Sequence, residues 1–298
     1  MSEREDEPLA DLESRSPKDL DAEELRAALT SPERLARQRG ARACARLAAE
    51  DPEAVRPYLS ELTELLVDDS LVAAQQAANA LIPVAKERPG LLEDTVENVL
   101  AFADTDLGGD RARAATILAD VVVERPELCA PHVDDLVRLV ATSESDLESH
   151  AGEASDDAIE RETLQRHERK ESRARAVGRV SLLNVVVAVA EEHPEAVVDE
   201  VGELVTLVET DTDGSVVAAA LDALTAVGEH DPAAIADAVD PASSYLDHPD
   251  EALRARVIRM LGVAGDEGAV PALREVAEGD ENEEIRSLAA DTADFLAS

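Results

Sequence analysis

The chain has 298 residues and a formal net charge of −39, from 67 acidic and 28 basic side chains. Aromatic residues make up 1% of it, and tryptophan is absent. Since ligand pockets are usually lined with aromatic as well as aliphatic side chains, this Ala-, Val- and Leu-rich composition favours closely packed helices over a deep pocket. The length allows one large domain, two ordinary domains or one elongated array.

The acidic side chains are spread through every segment, and only Lys18, Lys86 and Lys170 among the basic residues are lysines. This pattern is typical of proteins from extreme halophiles, in which surface carboxylates hold water and cations, so we expect a source such as a halophilic archaeon. In concentrated salt the Debye length is roughly 3 Å or less, which nearly abolishes long-range steering. The net charge therefore indicates little about the partner.

The first residues, MSEREDEP, lack the apolar core of a signal peptide, and the longest mostly apolar run, 180–190, is too short to span a bilayer. We therefore expect a cytoplasmic monomer with no membrane partner. Residues 1–30 are predicted to be a polar tail, with a short capping helix over 21–29, and residues 31–298 a repeat array.

Five prolines mark an internal repeat of about 37 residues, interrupted once by an insertion of 31. They are Pro52, Pro89, Pro126, Pro194 and Pro232. Because proline fits the first turn of a helix and disfavours helix in the residue before it, each is predicted to close one helix and open the next.

Apolar residues follow each proline at 3, 7, 10 and 14 positions, as Val55, Leu59, Leu62 and Leu66 follow Pro52. This spacing draws one helical stripe. The preceding helices have their own apolar columns, and Cys44 lies in one of them. Cys129 lies in the column three residues after its proline. Both cysteines replace an aliphatic residue and are predicted to pack in the core. A single hairpin cannot bury these stripes, so the hairpins must stack into an all-α solenoid.

The C-terminal segment DEALRARVIRMLGVAGDEGAVPALREVAEGDENEEIRSLAADTADFLA resembles two successive HEAT units of the short, phycobilisome-lyase-like type. It has the turn aspartate, the early arginines Arg254 and Arg286, and the pair Leu261–Gly262. Over residues 31–298 the resemblance implies a right-handed α-α solenoid of about six to seven HEAT-like hairpins. It also implies that five arginines brace turn aspartates: Arg37, Arg111, Arg179, Arg254 and Arg286.

One stretch, residues 161–179, reverses the sign of the chain, with seven Arg or Lys against three Glu. It begins within an insertion at about 143–172. The acidic part of this insertion, residues 143–158, is predicted to be a mobile loop, followed by an overlong helix from about Asp157 to Glu192 that projects from the stack. Four cations outside the repeat register share one face of this helix: Arg166, Arg169, Lys170 and Arg173. They could belong to a solvated helix with pairs such as Glu162–Arg166 and Glu171–Arg175, or to a docking stripe for an acidic partner or for phosphates.

The helices after the prolines are expected to line the inner face of the solenoid. Their polar residues would make an acidic groove that either accepts a basic segment or is only hydrated surface: Glu61, Glu64, Glu97, Asp135, Arg138 and Glu203.

No spacing of His, Cys, Ser or acidic residues supports a catalytic, cofactor or metal site, so we expect a non-enzymatic scaffold that binds protein partners. One alternative is a nucleic-acid-binding protein that uses the basic helix, as some HEAT-like DNA-repair glycosylases bind DNA. The scarcity of aromatic side chains and of basic surface argues against it. The other is an enzyme or accessory subunit of the bilin-lyase kind, which the C-terminal resemblance alone implies.

Overall fold

The structure, a computed structural model, describes residues 21–105, 107–145 and 158–298. The expected N-terminal polar tail and most of the acidic loop lie outside these residues. The described residues form fourteen α-helices joined by short 3₁₀ segments and turns, and they contain no strand. In chain order the helices are α1 (Ala22–Leu29), α2 (Arg34–Glu50), α3 (Leu59–Leu65), α4 (Leu71–Glu87), α5 (Val96–Ala103), α6 (Gly108–Glu124), α7 (Val133–Ser145), α8 (Ala158–Glu192), α9 (Val201–Thr210), α10 (Gly214–His230), α11 (Val239–Ser243), α12 (Glu251–Ala264), α13 (Val270–Gly279) and α14 (Glu283–Leu296).

The helices alternate as the repeat predicts. We call the even-numbered helices α2 to α14 the first helices, and the odd-numbered helices α3 to α13 the second helices. Within the described residues a first helix is followed along the chain by a second helix six times. Helix α14 is a further first helix, and α1 precedes α2. The predicted all-α solenoid class is therefore confirmed.

The prediction that the prolines open the second helices directly is wrong. Each proline opens a 3₁₀ segment, such as Pro52–Tyr58 or Pro232–Ala238, and the α-helix begins seven residues after the proline. In the first of these, Pro57 removes another backbone donor, and the Asp51 carboxylate accepts a hydrogen bond from the Glu53 amide at 3.1 Å. These local bonds favour a tight turn over a regular α-helical start.

The described residues divide into two compact units. Unit 1 comprises those up to Leu128 together with 158–181, and unit 2 comprises Cys129 to Ser145 together with Leu182–Ser298. In each unit the predicted apolar columns are the core, as in Leu62 and Leu118 of unit 1 and Leu204 of unit 2, all fully buried.

Both cysteines are fully buried in these columns. Burial raises the pKa of Cys44 to about 12, and the negative charge of Glu61 contributes in the same direction. The thiolate, which is the nucleophilic form, is therefore suppressed at Cys44. This agrees with the predicted packing role.

Two of the five arginines, Arg37 and Arg254, brace turn aspartates as the resemblance implies. Arg111 and Arg286 donate to backbone carbonyls of the turn before their own helix. Arg254 donates from Nε to Asp280 at 2.7 Å and from a terminal nitrogen to its second oxygen at 2.9 Å, and it also donates to the His248 carbonyl at 2.7 Å. Arg37 contacts Asp68 in the same two-pronged way, at 2.6 and 3.1 Å. Arg254 and Arg37 thus each tie their own first helix to the turn that precedes the next one.

Helix α8 begins and ends close to the predicted limits, but it does not project along its whole length. A Cβ atom added to Gly108, the first residue of α6, would lie 2.6 Å from Arg175 Cγ and 2.7 Å from the Glu171 carbonyl oxygen. Glycine at this position therefore permits α8 to lie directly against the start of α6. The acidic-loop prediction also needs correction at its edge, because residues 143–145 belong to α7.

Two carboxylates meet where α8 is seated on α6. Asp110 is fully buried, and its Oδ1 accepts hydrogen bonds from Gln75 at 2.9 Å and Arg113 at 3.1 Å. Its Oδ2 and the Oε2 of Glu171 are buried without a hydrogen-bond partner among the described residues. Burial raises the pKa of Asp110, the Glu171 charge raises it further, and the bond from Gln75 and the charge of Arg113 oppose this.

We predict that Arg254→Ala destabilises the protein by about 2 to 3 kcal/mol, because it leaves the nearly buried Asp280 carboxylate without its charged donor. Urea denaturation followed by circular dichroism measures the loss. The matched control is Arg274→Ala, because Arg274 pairs with Asp294 at an exposed site, where a loss below about 1 kcal/mol is expected. Equal losses in the two variants would contradict the bracing role.

We also predict that Asp110→Asn stabilises the protein at neutral pH, by about 1 kcal/mol or more, because it removes a buried charge that faces a second carboxylate. A raised folded-state pKa means that the wild-type protein loses stability as the pH rises through that pKa. The variant should lose less than the wild type between about pH 4 and 8, in urea titrations at each pH. Asp94→Asn, at an exposed carboxylate of the same unit, is the control; a pH dependence that Asp110→Asn leaves unchanged rules the explanation out.

Candidate functional site

The four predicted cations lie together on α8, and all four are exposed. We call Arg166, Arg169, Lys170 and Arg173 the basic stripe. Arg169, Lys170 and Arg173 form no hydrogen bond or ion pair with any other residue that the structure describes. These three cations are therefore open to a partner, although the stripe itself is anchored close by at Glu171 and Arg175.

The alternative of a solvated helix rested on two pairs along α8. The side chain of Glu162 lies outside the described part of the helix, so the pair Glu162–Arg166 stays a prediction. Glu171, which the spacing pairs with Arg175, has one carboxylate oxygen buried without a hydrogen-bond partner.

The acidic residues predicted to line one groove are distributed over both units. In unit 1, Glu61 accepts a hydrogen bond from Arg26 at 2.7 Å, Glu64 lies in the same small pocket beside Arg37, and Glu97 is exposed. The Glu61 carboxylate is thus already engaged in a structural contact.

In unit 2, Arg138 donates to Asp135 at 2.8 Å, one helical turn away, and Glu203 is exposed on α9. Burial raises the pKa of the neighbouring Glu200, with further contributions from the charges of Asp134 and Glu203. This part of the second helices is therefore locally crowded with negative charge. Whether it binds a basic segment stays a prediction.

A further groove of unit 2 lies on the first helices, a surface that the sequence had not indicated as a binding site. It is formed by the last turns of α8 with α10, α12 and α14, and it has a volume of about 1220 Å³. Pockets for small molecules usually have about 300–1,000 Å³, so this groove has room for a larger ligand. We refer to it below as the unit 2 groove.

The walls of the unit 2 groove are largely apolar. Val187 of α8, Val263 of α12, and Leu288 and Phe295 of α14 supply the larger side chains, with small residues such as Ala255 between them. Leu288 and Phe295 lie seven residues apart, so they share one face of α14. They are 37% and 68% exposed, so Phe295 is the more accessible of the two.

Phe295 stands apart from the other aromatic residues, all of which the structure describes. Tyr58 and Phe102 are buried, and Tyr245 is partly buried, with its hydroxyl donating to the Val208 carbonyl at 2.8 Å. The one largely exposed aromatic ring therefore lies in the unit 2 groove.

Charged side chains border the unit 2 groove in a definite order. Arg256 of α12 reaches Asp222 of α10 at 2.9 Å, and Arg259 of α12 reaches Glu229 of α10 at 2.7 Å. These pairs tie two successive first helices together across the groove. The charge that they present to a ligand is consequently small.

Among the residues that the structure describes, we find no helix with the length and apolar character that a bilayer crossing needs. The same residues do not bring together three or more His, Cys, Asp or Glu side chains as a metal site would. In the acidic segment ETDTDGS (residues 209–215), the Asp213 carboxylate accepts a hydrogen bond from the Ser215 amide at 2.9 Å and so caps the start of α10.

Residues 239–297 match a sequence profile that describes HEAT repeats. The search of curated proteins finds no match. Among solved structures, one engineered protein is similar, with a TM-score of 0.55 and 21% identity over 81% of this chain and 95% of that chain. A second engineered protein has a TM-score of 0.49 and 21% identity over 93% of this chain and 78% of that chain. Residues 239–297 are therefore similar to HEAT repeats, and the first structure shows that the chain shares a helical-repeat fold.

Proposed function

We propose that the protein is a non-enzymatic scaffold or adaptor that binds protein partners through the unit 2 groove. The observation that supports this most directly is the exposure of Phe295 in that groove. The other three aromatic rings are buried or partly buried. Exposed apolar patches with a polar border mark interaction surfaces, and aromatic side chains dominate binding energy at interfaces. Stacked helical repeats use such extended surfaces for binding.

The basic stripe supports a second candidate, the binding of an anionic partner. Arg169, Lys170 and Arg173 are exposed and lack ion pairs within the described residues, although the chain has more than twice as many acids as bases. An acidic protein segment and a nucleic acid share the chemistry that would pair with these cations. Only the nucleic acid makes the interaction sensitive to nuclease treatment.

We further propose that the protein works in a high-salt cytoplasm. The low lysine content and the dispersed acids support this proposal. At such ionic strength only groups in contact attract each other appreciably. Both candidate surfaces can bind under this condition. Binding in the unit 2 groove relies on burial of apolar area, which needs no long-range attraction, and the basic stripe exposes its cations for direct contact.

A capture experiment at high salt tests the two surfaces together. The baits are the wild-type chain, a groove variant with Leu288→Ser and Phe295→Ser, and a stripe variant in which Arg166, Arg169, Lys170 and Arg173 are all changed to Glu. We expect the groove variant to lose at least tenfold of one specific protein that the wild type retains, since interface anchors of this kind dominate affinity. Quantitative mass spectrometry of the bound fraction measures the recovery.

The matched control for the groove variant is Val67→Ser with Val123→Ser, which removes two exposed apolar side chains outside the groove. A partner that is lost equally from the groove variant and from this control would contradict the proposed function. A partner lost only from the stripe variant, and released by nuclease, would favour nucleic-acid binding instead.

For the high-salt proposal, we predict that the midpoint of thermal unfolding continues to rise between about 0.5 and 2 M KCl, by about 5 °C or more. Relief of about 2 kcal/mol of charge repulsion would give a shift of that size in a chain this long. Differential scanning fluorimetry measures it. The control is sucrose at equal osmolality, which stabilises proteins without supplying cations. A plateau above about 0.5 M KCl, or an equal effect of sucrose, would show that cation binding to the surface carboxylates is unimportant.

A further inference from the structure

The unit 2 groove also indicates which kind of partner would fit it, an inference that rests on the proposed scaffold function. Its two inner acids, Asp222 and Glu229, are already paired with arginines. Its two outer acids are Glu191 on α8 and Asp291 on α14, both exposed. Neither forms a hydrogen bond or an ion pair with another described residue, although Glu191 also interacts electrostatically with Arg259. The two middle helices of the groove therefore carry charges that are paired with each other, whereas the outermost helices carry both outer acids and the apolar side chains of Val187, Leu288 and Phe295.

The lining of the groove disfavours an extended peptide. Its only uncharged polar side chains are those of Thr225 and Thr292, and the Thr225 hydroxyl already donates to the Leu221 carbonyl at 2.7 Å. No asparagine or glutamine lines it. An extended ligand would leave its backbone amides and carbonyls without partners there, whereas an α-helix satisfies them internally.

The spacing of the outer acids sets the length of that helix. Glu191 and Asp291 are separated by three steps between successive first helices, from α8 through α10 and α12 to α14. Packed helices lie about 8–10 Å apart, so three steps span roughly 24–30 Å. At 1.5 Å per residue, a helix needs about 16–20 residues to reach from one acid to the other.

We propose that the unit 2 groove binds an α-helical segment of about 18 residues from a partner protein. The segment carries an apolar face, which packs on Val187 of α8 at one end and on Leu288 and Phe295 of α14 at the other. A Lys or Arg near each end pairs with Glu191 or Asp291. The cations select the partner and fix its position along the groove, and the apolar face provides most of the affinity.

The test is a selection from an mRNA-display library of random 18-residue peptides against the full-length chain. The salt concentration is the lowest at which the circular dichroism spectrum of the chain is unchanged. We expect the selected peptides to be enriched in apolar residues at helical spacing and in Lys or Arg at both ends. Fluorescence anisotropy of the best peptide then gives its Kd for the wild type and the variants.

The decisive variant combines Glu191→Gln with Asp291→Asn, which should weaken binding about three- to tenfold through two lost surface ion pairs. The matched control combines Glu275→Gln with Asp240→Asn, at exposed acids on the second helices, and should change Kd less than about twofold. It has the same change in net charge. A peptide with glutamates in place of its terminal cations should bind more weakly than the selected one.

Two failures are distinguishable. If the selected peptides need Leu288 and Phe295 but lack terminal cations, or bind the two neutralised variants equally, the groove binds proteins and the inferred partner chemistry is wrong. If no selected peptide depends on Leu288 and Phe295, the proposed function of the groove fails and this inference fails with it.

Discussion

The constraint on which each unit depends is the close packing of successive first helices, as between α2 and α4 in unit 1 and between α10 and α12 in unit 2. In α10, ten of the 17 residues are buried, and they are almost all Ala, Val, Leu or Gly. At Gly228 even a methyl group would lie 2.3 Å from Ile235 Cδ1. Small side chains are therefore required for close stacking, and the low aromatic content follows from the architecture as well as from any adaptation to salt.

The two candidate surfaces stand in different relations to this packing. In unit 2, Leu288 and Phe295 of α14 stay exposed in the unit 2 groove although α14 packs on α12. In unit 1, the close approach at Gly108 seats α8 on α6 at Glu171 and Arg175, and most of the basic stripe lies just before these two residues in the chain.

The sequence predicted the repeat, the buried columns and the limits of α8 well, because each of these is a one-dimensional pattern. Val55, Leu92 and Ile235 occupy equivalent positions and are all buried, as their spacing requires.

The 3₁₀ segments were missed because proline alone does not distinguish them from a helical first turn. The unit 2 groove and the Asp110–Glu171 contact were missed because they join residues of different repeats, and periodicity says which face a residue occupies but not which side chains meet across it. The Gly-Gly pair that begins α6 was the only local sign of a close approach.

The distribution of the cations is the last feature that the architecture explains. Most arginines with defined contacts join one repeat to another, as Arg88 reaches Glu53 at 2.8 Å and Arg256 reaches Asp222 at 2.9 Å. In an acidic chain such cations reduce the repulsion between neighbouring units, because each one places a positive charge between two negative surfaces. Arg169, Lys170 and Arg173 have no such structural contact in the described residues. Their exposed position on α8 is the observation on which the proposal of an anionic partner rests.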